Sequence, residues 1–317
     1  MKVSIIGGGG RVGSNAAFAL QMSGSVREIV LIDLARDLAE GEALDLRHGS
    51  SLAGARTVRA GGYEDAAGSD IVMITAGLRR KPDESRLELI NRNVVLFRQI
   101  VSEIKSVRLA AGAVLLVVSN PVDILTYLAV KESGIPESRV IGLGTLLDTA
   151  RFRSLLAERF GVAPGQVSAL ILGEHGDSMV PIWSSATING VPLRSFPGWN
   201  DESMAEVFEA TKNGGAEVIR LKGGAGYAVG LAIKQLVNAI ALDTREILPV
   251  STLQNGILGI EDVCLSVPTI TGRAGAVSRI GIALSAEELT ALQNSGRVLA
   301  ETLRKVEETV ASGTGGG

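Results

Sequence analysis

The chain has 317 residues, which is ample for a large buried core and suggests about two domains. Its formal charge is −3 and its 31 lysines and arginines are scattered, so no basic field indicates a nucleic-acid partner. A single cysteine, Cys264, excludes intrachain disulfides and cysteine-rich zinc motifs, and no apolar run reaches the length of a membrane span.

An apolar strand pattern begins at Val3, with no leader of signal length before it. We therefore expect a cytoplasmic protein. We expect it to bind neither membrane, nucleic acid nor metal.

The first segment has the pattern of a dinucleotide-binding unit. Residues 3–6 form an apolar run that leads into four consecutive glycines and then a helical pattern to about residue 23. Gly8, Gly10 and Gly13 fulfil the spacing G-x-G-x-x-G, in which glycines allow a tight turn, close approach of the pyrophosphate and packing of helix on strand. The helix N-terminus offers its unpaired N–H groups to the phosphates. Alone the motif is weak, because a run of glycines can also be a flexible turn.

The second predicted strand, residues 28–32, ends at Asp33, 20 residues after Gly13. A carboxylate there accepts hydrogen bonds from both ribose hydroxyls of the adenosine and repels a 2′-phosphate, which favours NAD over NADP. Two alternatives stay open: Arg36 is placed to pair with a 2′-phosphate, and Asp33 can also cap the next helix. Strand, loop, helix, strand and acid in this order predict dinucleotide binding.

The alternation of strands and helices continues through the first half of the chain. Further strands are predicted at residues 57–60, 70–75, 113–118 and 140–141, with helices at residues 38–47, 87–109 and 124–133. Continuous apolar runs separated by helices indicate strands covered on both faces. The predicted fold class is therefore α/β: a doubly wound parallel sheet over residues 1–143, a second α+β substrate domain over residues 144–312, and a disordered tail at residues 313–317.

Two strand ends in the first domain carry candidate residues, since open parallel sheets bind ligands beyond the carboxyl ends of their strands. After Gly77, a polar loop with four cations leads to Arg86, and we interpret it as a lid that closes on an anion. The alternative is a solvated basic loop. Asn120 either contacts a ligand or stabilises the turn before Pro121.

The second domain opens with a helix in which Asp148 and Arg151 share one face. As an exposed ion pair they contribute only a few tenths of a kcal/mol, roughly. As site residues, Asp148 supports a histidine and Arg151 holds a substrate carboxylate as a bidentate fork. Strands of a separate sheet are predicted at residues 168–172 and 183–188, followed by helices at residues 202–219, 230–240 and 287–310.

The chain has two histidines, which invite different interpretations. His175 lies between Gly173-Glu174 and Gly176-Asp177-Ser178, and flanking glycines let an imidazole stand at the floor of a cleft. Because histidine titrates near neutral pH, we predict a chemical role, the alternative being a structural histidine at a strand end. His48 ends a helix before Gly49, where a cation favours the helix C-terminus and glycine takes the left-handed cap.

Taken together, these motifs resemble the lactate/malate dehydrogenase family over essentially the whole chain. The resemblance rests on the glycine motif, Asp33, the lid at residues 77–86, and the segments SNPVD (119–123), LDTARF (147–152) and GEHGDS (173–178). It implies that His175 is the acid/base paired with Asp148. It also implies that Arg151 binds the C1 carboxylate of the substrate and that Arg86 descends with the lid to polarise the carbonyl.

The resemblance further implies a homodimer or homotetramer, and Asn120 beside the reacting centre with a cis bond to Pro121. Hydride transfer suits these roles, because the hydroxyl proton passes to an imidazole that a carboxylate orients. The implied cofactor contacts are Gly8, Gly10, Gly13, Asp33, Asn93, Val118 and Asn120.

Within the family, substrate choice is mixed. Residues 42–49 and 173–175 look like the lactate branch, whereas residues 79–82 look like the malate branch. Lactate enzymes place glutamine where this chain has Arg80 and tend to carry threonine near Ala225. A guanidinium can pair with the second carboxylate of a dicarboxylate, so we expect Arg80, with Arg86, Asn120 and Arg151, to bind the substrate.

The sequence thus predicts a malate dehydrogenase that interconverts (S)-malate and oxaloacetate in the tricarboxylic acid cycle. The alternative is L-lactate dehydrogenase. A catalytically silent dinucleotide-binding protein would be expected to have lost His175, Asp148, Arg151 or Arg86, and all four are present.

The interpretation of Asp33 leads to the first testable prediction. NADH should be used much more efficiently than NADPH, because Asp33 meets the 2′-phosphate as a like charge. The measurement is kcat/KM for the two cofactors at one substrate concentration. Comparable values would mean that Arg36 governs this loop instead.

Overall fold

A computed structural model describes residues 1–53, 57–79, 81 and 83–313. The first half contains β1 (Lys2–Ile6), α1 (Arg11–Gln21), β2 (Glu28–Ile32), α2 (Arg36–His48), α3 (Ser50–Ala53), β3 (Thr57–Gly61), β4 (Ile71–Ile74), α4 (Arg86–Ser106), β5 (Val114–Val117), α5 (Val122–Glu132) and β6 (Val140–Gly142). The second half contains α6 (Leu146–Phe160), β7 (Val167–Leu172), β8 (Val180–Ile188), β9 (Val191–Pro192), α7 (Asp201–Lys222), α8 (Tyr227–Leu242), β10 (Glu246–Asn255), β11 (Glu261–Gly272), β12 (Gly275–Arg279) and α9 (Ala286–Gly313).

The first six strands form a parallel sheet in the order β3-β2-β1-β4-β5-β6. At its centre Ile5 pairs with Leu31 on one side and with Met73 on the other, and all three are fully buried. Their burial explains why these strands are continuous apolar runs: helices cover both faces. The predicted doubly wound α/β fold is confirmed.

The sheet does not end at β6. Strand β10 pairs antiparallel with β6 through Ser251 and Gly142, and β11 and β12 follow, which gives nine strands. The sequence analysis missed these three strands. Each of the two long ones has an interior proline, Pro249 and Pro268, directly opposite one another. Interior proline argues against a central strand, so the sequence signal for both segments is weak despite their β-branched composition.

A separate three-stranded sheet, β7-β8-β9, lies in the second half as predicted. It packs on α6 and α7 through an apolar cluster that includes Phe152, Leu156, Ile171 and Ile188. The boundary predicted between residues 143 and 144 stays a prediction, as does the tail: Gly313 is the last residue of α9, and residues 314–317 lie outside the described part of the chain.

One predicted helix end is wrong. Gly49 was expected in the left-handed conformation, but it has φ −80° and ψ −7°, so the chain continues with right-handed geometry into α3. In the part of the chain that the structure describes, no helix combines the length and hydropathy of a membrane span.

The contact between α1 and the first turn leads to a stability prediction. A methyl group on Gly13 would lie closer than van der Waals contact to the carbonyl oxygen of Gly7, which is backbone and cannot move aside cheaply. We expect Gly13→Ala to lower the free energy of unfolding by roughly 1–3 kcal/mol, as overpacking does. The matched control is Gly41→Ala in α2, where the added methyl meets open space. It should stabilise by roughly 0.5–1 kcal/mol, since alanine is the better helix former. Equal effects in urea unfolding would contradict this account.

Candidate active site

The glycine loop after β1 forms one wall of a cavity of about 390 Å³. Asp33 lines the same cavity, and its carboxylate accepts hydrogen bonds from the N–H groups of Gly9 and Ala35, both at 3.0 Å. Gly10 precedes α1 and has no side chain to cap it, so the first N–H groups of the helix are available to a phosphate. The residues present therefore fit a dinucleotide.

The ends of β4 and β5 are tied together beside this cavity. The Ser119 hydroxyl donates to the carbonyl oxygens of Ala76 at 2.5 Å and Ile74 at 3.1 Å. The Asn120–Pro121 peptide bond is cis, as the resemblance implied. Asn93, implied as a cofactor contact, is buried and accepts a hydrogen bond from the N–H of Leu78 at the base of the lid.

A second cavity, of about 280 Å³, collects most of the predicted catalytic residues. It lies between the end of β5 and helices α6 to α8. Its walls include Val118, Asn120, Asp148, Arg151, Gly176, Ala225, Lys212 and His175. Because residues from both halves of the chain line it, only the folded protein assembles this site.

His175 and Asp148 form the centre of the cavity. The imidazole Nδ1 lies 2.5 Å from the Asp148 carboxylate, whose side chain is only 2% exposed, while that of His175 is 26% exposed. The other carboxylate oxygen of Asp148 accepts from Arg151 at 2.9 Å. Asp148 thus holds one ring nitrogen and leaves Nε2 as the nitrogen free to exchange a proton.

The dyad shifts both pKa values. Burial alone would lower the pKa of His175, but the charge and hydrogen bond of Asp148 outweigh it and raise that pKa to about 9. Burial alone would raise the pKa of Asp148. The charges and hydrogen bonds of His175 and Arg151 outweigh that effect, so the pKa is lowered. With its pKa at about 9, the imidazole is mostly protonated near physiological pH, which is the form that can donate a proton.

Arg151 reaches the cavity because a glycine in α7 leaves room for its side chain. The guanidinium also donates to the carbonyl oxygen of Thr211 at 3.1 Å, and a methyl group on Gly214 would collide with the Arg151 side chain. Gly214 and Gly215 are consecutive glycines inside a helix, a costly choice that indicates a packing reason. The sequence analysis passed over this pair.

Arg86 is not in the cavity. As the first residue of α4 it pairs with Asp177, and its guanidinium lies 3.6 Å from the Glu174 carboxylate, with the side chain 60% exposed. The structure therefore places Arg86 at the mouth of the site, beside the loop that carries His175. Arg80, on which the predicted substrate depended, lies outside the described residues.

The sequence analysis also missed a second buried carboxylate. Asp123, in the segment SNPVD, is 3% exposed and accepts a hydrogen bond from the backbone N–H of His175 at 2.7 Å. The sequence feature that could have indicated it is a carboxylate at the second position of a largely apolar helix, since a buried acid requires hydrogen-bond or charged partners.

The fold and the site together define an NAD-dependent 2-hydroxy acid dehydrogenase. Residues 1–142 match the family model of the lactate/malate dehydrogenase NAD-binding domain, and residues 145–310 match that of the family's α/β C-terminal domain. The chain belongs to the lactate/malate dehydrogenase family.

Relatives cover nearly the whole chain. An L-lactate dehydrogenase of Gloeobacter violaceus is 46% identical over 95% of this chain and 92% of its own length. L-lactate dehydrogenase 1 of Clostridium acetobutylicum is also 46% identical, over 96% and 98%. Among solved structures, a ligand-bound minor L-lactate dehydrogenase from Enterococcus mundtii superposes with a TM-score of 0.92 at 38% identity and covers 96% of this chain and 98% of its own.

These relatives correct the predicted substrate. The prediction of malate dehydrogenase, and with it a place in the tricarboxylic acid cycle, is wrong, because these relatives are named L-lactate dehydrogenases. The prediction depended on one lid cation, Arg80. A guanidinium selects a dicarboxylate only where lid closure desolvates it against the second carboxylate. A guanidinium that stays hydrated does not discriminate against pyruvate. The presence of an arginine in the lid sequence therefore does not establish which substrate is used.

The raised pKa of His175 predicts how stability depends on pH. Below its ordinary value of 6.5 the imidazole is protonated whether folded or unfolded, so the stabilisation is complete. As pH rises from there through about 9, the folded state loses the proton that Asp148 stabilises, and the contribution disappears.

The wild type should therefore lose roughly 2–3 kcal/mol more unfolding free energy than His175→Asn between about pH 6 and pH 10. Urea unfolding at both pH values measures this difference. His48→Asn, which removes an exposed histidine, is the matched control and should behave like wild type. Parallel losses in wild type and His175→Asn would contradict the assignment.

Proposed function

We propose that the chain is an L-lactate dehydrogenase that interconverts pyruvate and L-lactate with NADH and NAD. The observation that carries the proposal is the arrangement of His175, Asp148 and Arg151 around one cavity, in a chain similar to lactate dehydrogenases over its full length. A 2-hydroxy acid needs a carboxylate anchor and an acid/base at the adjacent carbon, and this cavity has both.

In the proposed reaction, Arg151 binds the pyruvate carboxylate through two guanidinium N–H groups. The cavity lined by Gly10 and Asp33 would hold NADH, whose chemistry when bound would be to provide the hydride for the carbonyl carbon. Protonated His175 donates its Nε2 proton to the carbonyl oxygen and is reprotonated from solvent, so one pyruvate, one NADH and one proton would yield one lactate and one NAD⁺. Throughout, Asp148 keeps the ring oriented and stabilises its cationic form.

The lid supplies the remaining charge in this proposal. Arg86 leaves Asp177 and Glu174 as the lid closes and moves toward the carbonyl oxygen, where negative charge develops. Its position at the N-terminus of α4, next to the His175 loop, supports a short path. Asn120 and Val118 line the cavity beside the reacting centre, and Ala225 leaves room on the opposite wall.

We assign Gly8, Gly10, Gly13 and Asp33 to the cofactor, with Asn93 supporting the lid. The cavity that contains Asp33 supports this assignment for the adenosine half. The cytoplasmic location, the homodimeric or homotetrameric assembly and the domain boundary remain predictions from the sequence.

The test is an NADH oxidation assay with pyruvate and oxaloacetate side by side. We expect kcat/KM for pyruvate to exceed that for oxaloacetate by at least about tenfold, since an unpaired second carboxylate is costly to bury. Turnover in His175→Asn should fall by about 10²–10⁴, with NADH binding retained by fluorescence titration, because the imidazole serves proton transfer. Faster reduction of oxaloacetate would refute the proposed substrate, and an active His175→Asn would refute the proposed site.

A further inference from the structure

A second carboxylate contacts His175, at the backbone N–H rather than at the ring nitrogen that Asp148 holds. Asp123 lies at the start of α5, and each of its oxygens has a separate partner. Oδ2 accepts the His175 backbone N–H at 2.7 Å, and Oδ1 accepts the Ser251 hydroxyl at 2.6 Å. The carboxylate therefore links α5, strand β10 and the loop that carries His175.

This arrangement is expensive for a purely structural purpose. Asp123 is 3% exposed, and burial raises its pKa to about 7 against the lowering effects of its two hydrogen bonds and the His175 charge. An asparagine has nearly the same shape and could accept the same N–H without the cost of burying a charge. The charge itself thus requires a reason.

We propose that Asp123 is a positioning residue for His175: it holds the backbone of the histidine in place, and its negative charge stabilises the protonated imidazole. Asp148 acts through the ring nitrogen, whereas Asp123 acts through the backbone and through space. Two buried carboxylates thus hold the same histidine, one at its ring and one at its backbone. The inference rests on the proposed function only insofar as His175 is the acid/base.

The charges around Asp123 are consistent with this role. His175 and Glu174 face it from the loop, and Arg86, Asp177 and Lys305 share with it a cavity of about 440 Å³ on the far side of His175. From β11 the thiol of Cys264 approaches, and burial and then the charge of Asp123 raise the pKa of that thiol. Among these residues, His175 makes a direct hydrogen bond to Asp123, through its backbone N–H. The charge of Asp123 in turn contributes to raising the pKa of His175.

The test uses Asp123→Asn in the full-length chain, since the amide oxygen can still accept the His175 N–H while the charge is gone. The chain has only two histidines, so their imidazole Cε1–H signals can be followed by NMR without substrate and assigned with His175→Asn. We expect the pKa of His175 to fall by on the order of one pH unit, as for loss of one nearby charge at intermediate dielectric. His48 should not move.

Catalysis should follow the titration. With pyruvate, kcat/KM of Asp123→Asn should fall about fivefold near pH 9 and change less than about twofold near pH 6, where His175 stays protonated. The matched control is Asp262→Asn, which removes an exposed carboxylate of β11 that pairs with Lys131 of α5, the helix that also carries Asp123. This control should leave the pKa of His175 and kcat/KM unchanged.

An unchanged His175 titration in folded Asp123→Asn overturns the inference, whatever the substrate assay shows. Should Asp123→Asn not fold, Ser251→Ala provides the test. It removes a hydrogen bond that stabilises ionised Asp123, so the pKa of His175 should fall, by less than the shift expected for Asp123→Asn. A titration that superimposes on wild type then overturns the inference. Inactivity of the wild type toward pyruvate, with the NMR shift present, refutes only the proposed function.

Discussion

The site depends on the burial of one carboxylate, Asp148. An ionised group that is 2% exposed is destabilising by several kcal/mol unless cations and hydrogen bonds offset the lost hydration. His175 and Arg151 supply both, one on each oxygen. This need for compensation brings the residues proposed for proton transfer and for binding a carboxylate to one place, because either cation alone would leave Asp148 underpaired.

The fold places the three residues by joining local and distant elements. Asp148 and Arg151 occupy successive turns of α6, so the helix itself sets their spacing. His175 lies in the loop after β7. Two residues before it, Gly173 forms an antiparallel bridge to Ser266 in β11 of the large sheet. The loop is thus held between the two sheets, with Asp123 fastening it from α5. A rigid support on two sides keeps the imidazole oriented while the lid segment beside it is positioned by exposed ion pairs.

The mistaken substrate prediction shows the limit of interpreting a single charged residue. Recognition of a dicarboxylate depends on where a cation lies in the closed state and how much water both groups lose, and neither follows from residue type. By contrast, the pairing of Arg151 with Asp148 could be predicted, because the two residues share a helical face and helix geometry is local. The position of a lid cation does not follow from a helical period. Its cations were therefore interpretable as a class but not one by one.

The sequence by itself determined the parallel sheet, the dinucleotide loop, Asp33 and the relation of Asp148 to Arg151, because each follows from a local period or a short spacing. It also indicated His175 through its flanking glycines. Tertiary structure alone decided the rest. Strands β10 to β12 join β6 through one antiparallel contact between Ser251 and Gly142, more than 100 residues apart. Gly214 opens α7 for Arg151, and Asp123 binds the backbone of a histidine 52 residues away. Such pairings depend on which surfaces the packed chain brings together. The periodicity of one segment does not indicate which distant segment it will contact.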